Sequence, residues 1–377
     1  MKIDKSQISG RQFMFSIICF IQSSTLLTSL LVGVTKQESW IPAIIGIVLC
    51  FPLIFLFRTL MVMFPDKNYL QVLDEVYGPV VGKILGISYA WFFLTLTALN
   101  LSDMGDFTKT TLLPNTPPVV MSLICILTSV WAVRHGFMVV SRYSKLFTIA
   151  GSLIIAFSLI LLFNQMDFTN LFPVFTQPAI HYVQGTHIIT TIPFGELVVF
   201  LMISPCVKKL TPRQTTKYWF IGLAVGAIVF LAALLRDLSV LGNTIQLFTL
   251  PGLVSLRLVN MGESLSRMEI IFAVALIMIL YFKITVLCYV STVAIAQLFK
   301  STQYKRLALI VGILITVYMP TLFRSSVEHN VSGQTIVPFI WSLFEAVLPL
   351  LTLILAKIRK LPKTAIAAVK EKGAQRS

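Results

Sequence analysis

Charged residues are scarce in this sequence. Asp, Glu, Lys and Arg make up only 12% of its 377 residues, whereas 56% are hydrophobic. A soluble domain carries about 25% charged residues, and apolar runs recur here along almost the whole chain. The composition therefore excludes a water-soluble globular protein and predicts a polytopic membrane protein.

Cysteine and histidine are also few, which argues against several kinds of chemistry. All five cysteines lie in or at the edge of apolar runs, so no disulfide framework is expected. The four histidines have no metal-ligand spacing such as HExxH, and no P-loop, GxSxG or GxGxxG element occurs. We therefore expect neither an enzyme nor a bound metal or cofactor.

Acidic residues number only 15 against 30 basic residues, which gives a net charge of +15. The lysines and arginines stand in short clusters between the apolar runs. This placement is typical of cytoplasmic loops that contact anionic lipid headgroups. We therefore expect membrane lipid, and not nucleic acid, as the partner of these basic residues.

Ten apolar runs are long enough to cross a bilayer. The predicted spans are 11–34, 40–63, 80–103, 118–134, 143–163, 186–206, 218–241, 268–299, 307–323 and 335–357. Both chain ends then lie on one side, which carries 23 of the 30 lysines and arginines, while the other side has six and Lys283 lies inside span 8. Because basic loops stay in the cytoplasm, both termini are predicted to be cytoplasmic.

Span 6 belongs to an apolar stretch, 188–209, that is interrupted early by Pro193, Phe194, Gly195 and Glu196. Proline removes a backbone donor, and a carboxylate at bilayer depth costs roughly 2–3.5 kcal/mol. One interpretation is a discontinuous helix whose freed backbone groups and Glu196 face a protein-lined cavity. The alternative is a proline kink with Glu196 bonded to a neighbouring helix.

Span 1 has a polar patch about halfway along, formed by Gln22, Ser23, Ser24 and Thr25. Such residues often do no more than help membrane helices to pack. The position of the patch favours a second interpretation, because it interrupts the helix that opens the first five spans. We call this patch the first break and the interruption in span 6 the second break.

The two breaks each open a group of five spans, at 11–163 and 186–358. Because five is an odd number, the two groups must have opposite orientations in the membrane. This arrangement predicts one domain of ten helices with an inverted repeat, in which a substrate site lies near the midplane. Residues 359–377 follow as a basic cytoplasmic tail.

Span 8 places Lys283 midway across the membrane, which normally requires a partner or an aqueous path. At about 100° per residue, Thr285 and Tyr289 share one face, and Lys283 points about 200° away from Thr285. We therefore expect Thr285 and Tyr289 to face the cavity and Lys283 to serve as an ion pair or relay. Glu345, similarly deep in span 10, is predicted to be a gate, a partner or a relay.

The expected ligand site combines both breaks with side chains of spans 3 and 8. Freed helix N-termini favour anions and exposed carbonyls favour cations, so the breaks suit the charged ends of a small ligand. The candidate ligand-binding residues are Gln22, Ser23, Ser24, Thr25, Thr95, Phe194, Gly195, Glu196, Thr285 and Tyr289.

Four stretches of the chain resemble one known family. They are IPFGELVVFLMISPCVKK, RHGFMVVSRYSKLF, NLFPVF and GESLSRMEIIFAVALIMILYFKITVLCYVSTVAIAQLFK. Together they resemble the B subunits of bacterial spore germinant receptors, which look like relatives of the amino acid/polyamine/organocation transporters. The most specific part is Arg267-x-Glu269 followed by Phe282-Lys283-Ile284.

This resemblance implies a ten-helix inverted-repeat fold in the inner membrane of a bacterial spore. It also implies that the chain functions together with an A subunit and a lipoprotein C subunit. The chain departs from its relatives at the first break, where they often carry glycines and this chain has Gln22, Ser23 and Ser24.

The leading expectation is a receptor subunit that binds a small germinant, with an amino acid as the expected class, and signals to partner subunits. One alternative is a proton-coupled amino-acid permease of vegetative cells, with Glu196, Lys283 or Glu345 as the relay. Another is an assembly subunit whose pocket is vestigial.

Overall fold

The computed structural model describes residues 7–258 and 268–362. Arg267 of the Arg-x-Glu motif and most of the basic tail lie outside these ranges. The α-helices are α1 (Gly10–Ser23), α2 (Thr28–Thr35), α3 (Trp40–Met63), α4 (Tyr69–Tyr77), α5 (Pro79–Thr111), α6 (Pro118–His135), α7 (Phe137–Leu162), α8 (Ala179–Ile189), α9 (Phe200–Ile203), α10 (Pro212–Leu241), α11 (Pro251–Arg257), α12 (Met268–Leu298), α13 (Tyr304–Leu322), α14 (Ser326–Gln334), α15 (Ile336–Ser342) and α16 (Leu348–Ile358).

Ten helical segments of the described chain are long and apolar enough to cross a membrane, which confirms the predicted number of spans. The third span, α5, is longer than predicted and continues well past residue 103. Its aspartates are tolerated because Ser326 donates to Asp106 at 2.8 Å and His329 lies 3.5 Å from Asp103. Helix α14, distant in sequence, therefore supplies partners for the aspartates of α5 that the sequence pattern does not reveal.

Contacts between segments far apart in sequence gather both chain ends on one side of the bundle, here termed the terminal side. These contacts are Ile8–Val207, Asp66–Lys209, Asn68–Gln297 and Val76–Arg359. The opposite side is termed the distal side. The five spans from α1 to α7 and the five from α8 to α16 cross between these sides in opposite senses, as the predicted inverted repeat requires.

One buried carboxylate joins two segments of the distal side. Glu38, which follows α2, accepts hydrogen bonds from the backbone amides of Phe175 and Thr176. It also accepts from the hydroxyls of Thr176 and Tyr182. Glu38 therefore fixes the connection before α8 against the start of α3.

The broken spans lie at the centre of the bundle. Within their most apolar stretches, 72% of span 1 and 89% of span 6 are buried by the protein itself. Spans 3 and 8 follow at 67% each, whereas the other six range from 28% to 50%. Spans 1, 3, 6 and 8 thus form an interior in which polar groups are shielded from lipid.

Candidate functional site

The first break takes the form of a 3-10 turn, Ser24–Leu27, between α1 and α2. Hydroxyl groups bond to backbone carbonyls beside this turn. Ser23 Oγ donates to the Phe20 carbonyl at 2.6 Å, and Thr25 Oγ1 donates to the Gln22 carbonyl at 2.8 Å. Serine and threonine therefore satisfy backbone groups where the regular helix is interrupted.

The second break begins with a π-helical turn, Thr190–Phe194, and continues as a 3-10 helix, Gly195–Val199. Ile192 has extended backbone angles, φ −110° and ψ 104°. A residue that precedes proline prefers this region, because the proline ring disfavours helical angles there. The predicted discontinuity of span 6 is confirmed, and its cause is local sequence.

A buried ion pair joins the two breaks. Lys283 Nζ of α12 lies 2.5 Å from Glu196 Oε2 at the second break and donates to Ser24 Oγ at the first break, at 2.8 Å. The ammonium also lies 4.9 Å from the ring centroid of Phe20. Lys283 is 0% exposed and Glu196 2% exposed. The sequence does not indicate a partner for Lys283, and the structure shows that this partner is Glu196. Glu196 is therefore bonded to a neighbouring helix.

Glu345 lies beside this pair. It stands in a π-helical turn, Leu343–Val347, between α15 and α16, and it is 1% exposed. A β-carbon added at Gly195 would collide with the Glu345 carboxyl group, so the glycine allows this close approach. Neither Glu345 oxygen has a hydrogen-bond partner among the residues that the structure describes.

Two candidate residues of span 8 bond away from the ion pair. The Thr285 hydroxyl lies 2.9 Å from Ser129 Oγ of α6, and the Tyr289 hydroxyl lies 3.3 Å from Cys206 Sγ. By helical spacing Thr285 lies about 200° around α12 from Lys283, whereas Tyr289 lies only about 120° away and contacts span 6, the span that also holds Glu196. Their observed contacts tie α12 to neighbouring segments.

Two further candidates also bridge helices. Thr95 Oγ1 of α5 lies 3.1 Å from the Tyr318 hydroxyl of α13, and Gln22 Nε2 donates to Ser152 Oγ of α7 at 2.8 Å. The structure therefore brings together the two breaks, Lys283 and Glu345, and places Thr95 at a helix contact instead.

The space around the cluster is nearly closed. Two cavities that border Thr25 have volumes of about 10 Å³ each, room for about one water molecule. A larger cavity of about 120 Å³ lies toward the distal side and reaches Leu26 and Leu27 of the first break. Asp103 and His329 also line this cavity, which makes its wall polar.

A second buried charge pair lies near the cluster and was not predicted. Arg236 of α10 lies 2.7 Å from Asp237 and donates to Ser158 at 2.6 Å, with its guanidinium 5.3 Å from the Phe272 ring centroid. The charge count assigns Arg236 to the distal loops, yet it is 1% exposed. The adjacent Arg-Asp inside an apolar run is the sequence signal that would have indicated this pair.

Comparison with known proteins identifies the relatives of this arrangement. A family model described as "Spore germination protein" matches residues 7–326. The chain belongs to the spore germination protein family. Spore germination protein KB of Bacillus subtilis (strain 168) is 27% identical over 367 residues, covering 95% of this chain and 96% of that protein. The putative spore germination protein YfkT of the same strain is 25% identical, covering 88% of this chain and 90% of that protein.

Solved transporter structures share the fold of this spore germination protein. MHP1, a nucleobase-cation-symport-1 family transporter in a closed conformation with bromovinylhydantoin bound, has a TM-score of 0.61 at 13% identity, over 89% of this chain and 78% of its own. MhsT in complex with L-phenylalanine has a TM-score of 0.56 at 15% identity, over 90% of this chain and 88% of its own. The likeness is one of fold.

Proposed function

We propose that this chain is the germinant-sensing membrane subunit of a spore germination receptor. It binds a small germinant, with an amino acid as the expected class, between the two breaks and α12. The observation that carries the proposal is the Lys283 ammonium, which contacts Ser24 at one break and Glu196 at the other. A ligand that moves one break thereby alters the other through a buried charge.

The polar distal cavity is the proposed entrance. It ends at Leu26 and Leu27, which belong to the first break, so a ligand inside it is adjacent to the broken backbone. Freed amides suit the carboxylate of an amino acid and freed carbonyls suit its ammonium. Because the cavities at Thr25 hold only about one water, ligand entry requires the breaks to separate.

The proposed contacts with the germinant are made by residues of the breaks. These residues are Gln22, Ser23, Ser24, Thr25, Phe194, Gly195 and Glu196. Thr95, Thr285 and Tyr289 enter the proposal as residues of spans 3 and 8 that tune the response, since each also contacts a neighbouring segment.

The proposed setting is the inner membrane of a bacterial spore, with both termini in the cytoplasm. The receptor A subunit and the lipoprotein C subunit are the proposed partners, which receive the rearrangement. The support for this setting is membership of the germination family together with the excess of basic residues on the terminal side.

A germinant screen tests the proposal. Spores that lack this chain, spores that carry it and spores with the chain restored are exposed to single amino acids, sugars and nucleosides. We expect loss of the response to one class of nutrient in the first strain and its recovery in the third. An unchanged response to every nutrient would contradict a sensing role.

Uptake measurements separate sensing from transport. Vesicles that contain the purified chain are loaded with labelled amino acids from outside, with and without a pH gradient. A sensing subunit gives binding without accumulation, and accumulation driven by the gradient would favour the proton-coupled permease. Expression confined to sporulating cells would support the receptor, whereas expression in vegetative growth would support the permease.

A further inference from the structure

Glu345 is a buried acid that the described part of the chain leaves without a hydrogen bond. It is 1% exposed, and both carboxyl oxygens lack a partner there. An ionised carboxylate in such a place is strongly unfavourable, because nothing replaces the water that it loses. A neutral carboxylic acid avoids most of that cost.

The charges around Glu345 also favour its neutral form. Glu196 and Lys283 lie close enough for their charges to act on it, from the second break and from α12. Cys50 of α3, beside the Thr190 carbonyl, and Tyr89 of α5, which donates to the Phe344 carbonyl, lie nearby, and neither supplies a positive charge. Among the described residues of the cluster, Lys283 supplies the ammonium, and it is already 2.5 Å from Glu196. An ionised Glu345 would therefore add an unmatched negative charge to the cluster.

The backbone of the second break offers acceptors for an acid proton. The Thr190 carbonyl and the Glu345 carboxyl group both border the position that a Gly195 side chain would occupy. The neighbouring Cys50 thiol is only a weak donor to that carbonyl, at 3.9 Å. A protonated Glu345 therefore lies near a backbone acceptor, whereas an ionised carboxylate has no proton to donate to it.

We propose that Glu345 is a proton-binding site. It carries a proton in this closed arrangement and releases it when the second break opens to water. In that step the O–H bond of the carboxyl group dissociates, the proton passes to solvent and the electron pair stays on the carboxylate. The site goes beyond the sensing role, because it makes the second break sensitive to pH whatever the germinant is.

Infrared spectroscopy of the purified full chain tests the closed state. The C=O stretch of a protonated carboxylic acid is separate from the amide and carboxylate bands. We expect this band at neutral pH in the wild type and its loss in Glu345→Gln, which has the size of the neutral acid. Glu75→Gln is the control, because Glu75 is ion-paired with Lys67 at a partly exposed site.

The intensity of the acid band in the wild type and in Glu345→Gln decides between a protonated and an ionised Glu345. Loss of the acid band in Glu345→Gln, with a melting temperature close to that of the wild type, supports the site. A wild type without any acid band at neutral pH overturns it, and this result does not depend on the folding of a variant. An acid band of unchanged intensity in folded Glu345→Gln also overturns it.

The native thiol of Cys50 reports on proton release. Cys50 is 0% exposed and lies beside Thr190 of the second break. We expect alkylation of Cys50, followed by mass spectrometry, to accelerate with pH more steeply in the wild type than in Glu345→Gln. Cys125 of α6, 7% exposed, is the internal control for the ionisation of buried thiols. Equal pH dependence of Cys50 in both proteins would contradict release on opening.

Discussion

Lys283 and Glu196 bury opposite charges 2.5 Å apart where neither side chain reaches water. Removing one partner strands the other, which typically costs about 3–5 kcal/mol. We expect Lys283→Met to lower both the amount of protein in the membrane and its melting temperature. The double variant Lys283→Met with Glu196→Gln should recover much of the loss, since replacing both partners by neutral groups is often nearly neutral.

Quantitative blotting of membranes and thermal unfolding of the purified variants measure this effect. Both variants contain Lys283→Met, so they share any loss of packing at position 283. The difference between them therefore measures the effect of the unpaired Glu196 carboxylate. A normal amount of stable Lys283→Met would mean that the ammonium does not stabilise Glu196. In that case the lysine is free to contact a ligand.

Gly195 is the point at which the second break meets Glu345. A β-carbon there would lie 2.8 Å from Glu345 Cδ and 3.0 Å from the Thr190 carbonyl. Overpacking of this kind costs about 1–3 kcal/mol. We expect Gly195→Ala to raise the half-effective germinant concentration by roughly 5- to 150-fold, because about 1.4 kcal/mol corresponds to a factor of ten.

Germinant dose–response curves of spores measure the Gly195→Ala effect, with protein level checked in parallel. Gly86→Ala is the matched control, because the added carbon meets only leucine side chains, Leu298 at 3.3 Å and Leu70 at 3.8 Å. Equal curves for both variants would show that Gly195 is not needed for the close approach.

Thr285 allows a test that separates ligand contact from helix packing. Its hydroxyl lies 2.9 Å from Ser129 Oγ, and one neutral hydrogen bond contributes about 0.5–1.5 kcal/mol. If Thr285 contacts the germinant, Thr285→Val should raise the half-effective concentration by roughly two- to twelve-fold. Ser129→Ala, the control, should then leave the dose response unchanged. Equal shifts in both variants would assign Thr285 to the contact between α12 and α6.

The helical elements of the distal side are coupled through Glu38. Its four donors come from the connection before α8 and from α8 itself. We expect Glu38→Ala to release the connection 164–178, because its donors lose a buried charged acceptor and hydrogen bonds to charged groups contribute about 1.5–3 kcal/mol each.

Limited proteolysis of the distal side measures this release as faster cleavage within 164–178. Glu75→Ala is the control, since its partly exposed pair with Lys67 is worth only about 0–1 kcal/mol. Equal cleavage rates in wild type and Glu38→Ala would mean that other contacts hold the connection.

The orientation of the whole molecule in the membrane is predicted from its charge asymmetry, because the sequence count assigns 23 of the 30 basic residues to the side of the two termini. We expect an impermeant thiol reagent to label Leu247→Cys in intact cells and to spare Lys209→Cys until the membrane is opened. Leu247 on the distal side is 75% exposed and the Lys209 side chain on the terminal side 86% exposed. Both sites are therefore accessible once the reagent reaches their side, and the reverse labelling pattern would invert the topology.

The sequence by itself determined the number of spans, the inverted repeat and the two broken helices. These features depend on local causes: apolar length, the odd number of spans in each half, and the effect of Pro193 on its preceding residue. They do not require knowledge of which helices touch.

Only the tertiary structure decided which side chains meet. Helical spacing gave the directions of Lys283 and Thr285 on α12 but not the helices that those faces contact. Lys283 pairs with Glu196 87 positions away, Thr285 bonds to Ser129 156 positions away, and Glu345 approaches Gly195 150 positions away. Such contacts depend on how whole helices pack, and the periodicity of a single helix contains no information about its neighbours.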